Sequence, residues 1–173
     1  MTSFFNKIVD TLNKLNIPYM LSGSVALGIH VVPRATRDFD FVVYMHQKDI
    51  SKFVEEFEGY YCDNDAIKDA IVRNSMFNII DNESDYKADF ILMKEDDFGI
   101  EEFNRRTEME FYGKTFYLIT PEDLLISKLI WIQDYQSAIQ MDDIKKLSTL
   151  QNIDWIYTNN WIRKLKLKTF DLF

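Results

Sequence analysis

Asp38-Phe39-Asp40-Phe41-Val42-Val43-Tyr44 reads as a β-strand that sets two acids on one face and two phenylalanines on the other. Side chains alternate along a strand, so Asp38 and Asp40 stand side by side, about 7 Å apart at their Cα atoms. Phe39 and Phe41 point the other way, into a core. Aspartate is poorly represented in strands and neighbouring like charges repel, so stability alone does not explain the pair. A divalent cation between the two acids would remove the conflict and turn it into a site. The plain alternative is an edge strand with two solvated acids.

Upstream, Tyr19-Met20-Leu21 makes a short apolar strand, and Val25-Ala26-Leu27-Gly28-Ile29-His30 makes a short helix. Gly23-Ser24 is the turn between them. A turn that opens a helix presents free backbone N–H groups, and glycine lets a phosphate approach the backbone closely. Thirteen residues separate Ser24 from Asp38, enough for one helix and a return into a neighbouring strand. Asp89, in Lys87-Ala88-Asp89-Phe90-Ile91, is again an acid flanked by apolar residues on a strand. If that strand lies beside the first, three carboxylates converge.

The rest of the chain alternates helix and strand. Phe4, Phe5, Ile8, Val9, Leu12 and Leu15 mark an amphipathic helix that stops before Pro18. A second helix covers 49–58, strands cover 76–80 and 86–93, and a short helix lies near 95–105. Residues 108–112 and 115–119 form a hairpin across Gly113-Lys114. Thr120-Pro121-Glu122-Asp123 then supplies an N-cap, a proline at the first helical position and acids in the first turn. Helix follows to the end. We expect an α/β (α+β) fold with a mixed central sheet and helices packed on one side of it. The expected division is an α/β core over 1–119 and a helical extension over 120–173.

Composition narrows the function. The 173 residues carry a net charge of −8, whereas proteins that grip nucleic acid along their length need basic stripes to neutralise phosphates. Arg163, Lys164, Lys166 and Lys168 are the one basic cluster, read as the solvated face of a terminal helix or a small patch for an RNA end. A lone Cys62 excludes an internal disulfide, and with two histidines a zinc site is not expected. No apolar run approaches a membrane span and no signal-peptide architecture opens the chain, so we expect a cytoplasmic protein without a membrane partner.

The run from Leu21-Ser22-Gly23-Ser24 through Arg34-Ala35-Thr36-Arg37-Asp38-Phe39-Asp40 resembles the signature of the DNA polymerase beta-like nucleotidyltransferase superfamily. With Thr120 to Leu129 it is most similar to the bacterial branch of abortive-infection toxin-like and uncharacterised small nucleotidyltransferases. The resemblance covers about 20–150 and implies the nucleotidyltransferase fold. It implies that Asp38, Asp40 and Asp89 are catalytic and bind Mg²⁺ (or Mn²⁺), with Asp89 as base toward an acceptor hydroxyl. It implies that Gly23 and Ser24 hold the phosphates of a nucleoside triphosphate such as ATP, and that Arg34, Thr36 or Lys128 neutralises them. The implied reaction moves a nucleoside monophosphate onto a small molecule, a protein or an RNA end. The toxin-like branch carries basic residues in a later helix where this chain has Gln140, Asp142 and Asp143, which sets toxin activity apart. A catalytically inactive nucleotide- or protein-binding member of the fold, or the toxin half of a toxin–antitoxin pair with a protein partner, are the alternatives.

Several of these residues also have plain structural readings. Lys128 can pack its stem on the core with its head in water. Thr36 can simply suit the start of a strand, Arg34 and Arg37 can pair with surface acids, and His30 can close a helix. Trp131, Trp155 and Trp161 read as core or subunit contacts.

Overall fold

Two rows of side chains, one residue out of step, organise the protein, here described from a computed structural model. Leu21, Phe41, Phe90 and Phe77 face one another in adjacent strands on one side of the sheet. Ser22, Asp40, Asp89 and Asn78 do the same on the other side. A slip of one residue in any pairing would exchange the rows and bury the acids in the aromatic core, so the register is strongly fixed. The structure describes every residue except Met1, Val32, Arg34 and Tyr112, and describes Phe111 in its backbone alone.

The elements run α1 (Thr2–Lys14), β1 (Tyr19–Ser22), α2 (Gly23–His30), β2 (Asp38–Val43), a 3₁₀ turn (Gln47–Asp49) and α3 (Ile50–Glu56). Next come β3 (Tyr61–Cys62), α4 (Asn64–Arg73), β4 (Met76–Ile80), β5 (Lys87–Leu92), α5 (Asp97–Asn104), β6 (Thr107–Phe111) and β7 (Lys114–Leu118). Three helices follow: α6 (Pro121–Ile132), α7 (Ala138–Ser148) and α8 (Trp155–Lys164). The strands form one mixed sheet in the order β3-β4-β5-β2-β1-β7-β6. β2 pairs antiparallel with β1 and parallel with β5, so the acid-bearing strands are neighbours at the centre of the sheet.

The expected α/β class holds, but the helices are not confined to one side. α1 and α3 cover the aromatic row: Phe5 packs on Phe39 and Phe41, and Phe53 meets Phe77 and Phe90 edge-on. Phe77 and Phe90 stack at 5.0 Å, one of the cross-strand aromatic pairs that add to plain area burial. The other face is polar at its centre, and α2 and α6 flank it. α6 begins as its sequence requires, with the Thr120 hydroxyl accepting from the Asp123 N–H and Pro121 in the first turn. Leu124, Leu125, Leu129 and Ile132 of α6 are fully buried in the same core as the sheet. Among the described residues no helix is long and apolar enough to cross a membrane.

Candidate active site

Gly23 opens α2 with φ +62°, a left-handed conformation that side chains other than glycine rarely adopt. A Cβ on Gly23 would fall inside the Asp40 carboxylate, so the position also needs glycine for space. This close approach lets the Ser24 backbone N–H donate to Asp40. Backbone turn and carboxylate are therefore locked together at the start of the helix, where unsatisfied N–H groups favour anions.

Asp40 pairs directly with Asp89 across β2 and β5. Burial, and next the charge of Asp89, pushes the Asp40 carboxyl above the ordinary aspartate range, while the Ser24 N–H and Lys128 pull it back. Asp89 is only 8% exposed; its Oδ2 accepts from Lys87 Nζ at 2.9 Å and its Oδ1 is buried with no hydrogen-bond partner. Asp38 is exposed at the start of β2, where Thr36 pins it: the Asp38 N–H donates to Thr36 Oγ1 at 3.2 Å. All three acids line one open cleft of about 420 Å³, together with Gly23, Ser24 and Thr36.

The donor set suits a hard divalent cation: carboxylate oxygens only, one of them orphaned, with a like-charge conflict at their centre. The three acids do not stand ready as a cage, however. Among the described residues no group of three such side chains is arranged to hold a metal ion. Instead Lys87 Nζ lies between Asp89 and Asp38, 3.9 Å from the latter's Oδ1. The two carboxylates hold this ammonium above its usual pKa.

α6 forms the opposite wall with Leu124, Ser127, Lys128 and Trp131, residues that share one helical face. The Lys128 head is not in water: the residue is 6% exposed, and Nζ donates to Asp143 Oδ2 at 2.9 Å and Gln140 Oε1 at 2.8 Å. Trp131 is no core residue either, being 65% exposed at the rim of the cleft. Trp155 does pack against the core, and Trp161 meets Phe98 edge-on. His30 closes α2, with Nε2 2.8 Å from the Ile119 carbonyl oxygen. Arg34 lies outside the described residues. Of the basic cluster, Lys164 pairs with Asp97 and Arg163 with its own helix, as a solvated helix end would. A larger, apolar cavity of about 710 Å³ lies toward α1, bordered by Phe5, Phe39 and Phe116, but none of the three acids lines it.

Lys87, Ser127 and Glu102 were not singled out in the sequence. The alternation that pairs Asp38 with Asp40 also sets Lys87 beside Asp89, so that signal was present. Glu102, on α5, had none. It accepts from the Ser127 hydroxyl at 2.7 Å behind the cleft wall. Burial, with the Ser127 hydroxyl opposing and Asp123's charge adding, pushes Glu102 from 4.5 up to about 7. A folded value above the unfolded one means a stabilising contribution that is whole below about pH 4.5 and lost as pH rises through 7. Glu102→Gln should therefore match the wild type at pH 4 and exceed it at pH 8 by about 2 kcal/mol, after discounting for partial exposure. Thermal unfolding at the two pH values checks this, and a pH-independent difference would contradict it.

No protein-family model matches the sequence, and no curated protein matches it. Solved structures do. The lincosamide antibiotic adenylyltransferase LnuA, bound to lincomycin, superposes with a TM-score of 0.58 at 15% identity, covering 86% of this chain and 97% of LnuA. The solution structure of the antibiotic-resistance factor ANT(2'')-Ia superposes with a TM-score of 0.61 at 12% identity, over 95% of this chain and 89% of that one. Its complex with adenylyl-2''-tobramycin gives 0.60 at 12% identity, over 95% and 97%. The chain is similar to these proteins in its architecture: it has the nucleotidyltransferase fold.

Proposed function

We propose that this protein is a Mg²⁺-dependent nucleotidyltransferase that moves a nucleoside monophosphate from a nucleoside triphosphate to a hydroxyl of a small-molecule acceptor. The observation that carries this reading is the meeting of Asp40 and Asp89 directly beneath the Gly23-Ser24 turn, in one open cleft. Backbone N–H groups at the start of α2 would bind the β- and γ-phosphates. Lys128, whose charge already reaches Asp40, would offset the triphosphate from the opposite wall. Asp40 and Asp89 would hold the cation, with Asp38 as a third donor. Bound there, Mg²⁺ would steady the attacking and leaving oxygens. The acceptor oxygen attacks the α-phosphorus, the bond to the β-phosphate breaks, pyrophosphate leaves, and Asp89 takes the hydroxyl proton.

Three features favour a small acceptor over a nucleic acid. The cleft holds about 420 Å³, the protein is strongly acidic, and the cleft walls add three carboxylates. Proteins of the same fold have been caught with lincomycin and with adenylyl-2''-tobramycin, both small molecules. Thermal unfolding with each nucleoside triphosphate, with and without Mg²⁺ or Mn²⁺, tests the reading without knowledge of the acceptor. A nucleotide at a hundred times its dissociation constant should add about 2.7 kcal/mol, a rise of roughly 5–10 °C. The rise should require the metal and vanish in Asp40→Ala. No rise with any nucleotide at millimolar concentration would sink the enzyme reading and leave a binding role for the fold.

A further inference from the structure

We infer that Lys87 is an internal counter-cation: its ammonium bridges Asp38 and Asp89, two of the three acids of the proposed cation site, in the free protein, and is handed to the nucleotide's phosphates when metal and nucleotide load. This rests on the nucleotidyltransferase reading and adds to it a coupling between the two ligands.

The register pairs Lys87 with Asp38 across β2 and β5, and alternation along β5 points Lys87 and Asp89 to the same side. The ammonium sits 2.9 Å from Asp89 Oδ2 and 3.9 Å from Asp38 Oδ1, so it bridges two of the three acids. The bridge is incomplete. A single ammonium serves both Asp38 and Asp89, and Asp89 Oδ1 is buried with no hydrogen-bond partner. A divalent ion carries twice the charge and can engage oxygens that the ammonium leaves unused. A divalent ion and the ammonium on the same carboxylates repel each other, so each weakens the other's hold. The Lys87 side chain is 35% exposed, so it can swing into water without breaking a packed core.

Metal alone therefore competes with a cation that is already bonded, and the displaced ammonium is left to water. Metal arriving with a triphosphate meets no such conflict, since the released ammonium gains an anion beside the cleft. Free metal binds weakly for this reason, and each ligand strengthens the other. The ammonium also offsets part of the repulsion among the acids whenever nucleotide is scarce.

Free Mn²⁺ measured by electron paramagnetic resonance, during titration of the whole protein with and without a non-hydrolysable ATP analogue, tests the inference without relying on turnover. Lys87→Met should bind Mn²⁺ alone about tenfold more tightly than the wild type, and the Mn²⁺–nucleotide complex more weakly. A merely structural lysine would weaken both when removed, so the opposite signs are diagnostic. Lys87→Arg keeps the charge and should stay near the wild type. Equal or weaker Mn²⁺ binding by Lys87→Met would overturn the inference. If the wild type still took up Mn²⁺ with nucleotide and Asp40→Asn did not, the nucleotidyltransferase reading would stand without it. Absence of Mn²⁺ uptake by the wild type even with nucleotide would overturn both.

Discussion

Gly23→Ala is expected to abolish the nucleotide-dependent rise in melting temperature and to cut transfer by at least about a hundredfold. Two effects act at this one position. The backbone stands at φ +62°, where a Cβ adds about 1 kcal/mol of strain. The added carbon would also occupy the place of the Asp40 carboxylate, forcing that side chain off its Ser24 N–H partner. Gly59 and Gly113 separate the two effects. They too have positive φ, at +90° and +70°, but a Cβ on either would meet nothing within 4 Å. Alanine there should lower stability by about 1 kcal/mol and leave the nucleotide response intact. Melting curves of the three variants with and without nucleotide and metal make the comparison. A normal response in Gly23→Ala would show that the turn does not hold the phosphates.

Local chemistry made the central motif legible in the sequence. The alternation Asp38-Phe39-Asp40-Phe41 survives intact as an exposed, buried, half-buried, buried pattern on β2. Thr120-Pro121 announced α6 because capping depends on a few adjacent residues. What the sequence could not supply was adjacency. Asp89 gains its place only because β5 lies parallel beside β2, a pairing between strands some fifty residues apart. α4 went unseen because only Ile67 and Ala70 of it are buried, too few to set a strong apolar rhythm. β3, at two residues, is too short to show alternation at all. Helices on both faces of the sheet were missed for a related reason: an amphipathic stripe says that a helix is covered, and not which face covers it. The head-in-water alternative for Lys128 fails because its partners, Gln140 and Asp143, arrive from a different helix.

That partnership makes Asp143→Ala a severely damaging change for the fold. Asp143 is 1% exposed and Lys128 6%, and they meet at 2.9 Å where α6 packs on α7. Removing the acid leaves a buried ammonium with Gln140 as its remaining partner of this pair of contacts, a loss of about 3–5 kcal/mol. The melting temperature should fall by roughly 10 °C or more. Paired replacement behaves differently: Lys128→Met with Asp143→Leu removes both charges and fills their volume, and should recover most of the loss. The double variant then isolates the functional part of Lys128. It restores the packing without restoring the positive charge that reaches Asp40 across the cleft. If that charge offsets the triphosphate, the stable double variant should still bind nucleotide more weakly, by about tenfold or more. Wild-type nucleotide affinity in a fully stable double variant would assign Lys128 to structure alone.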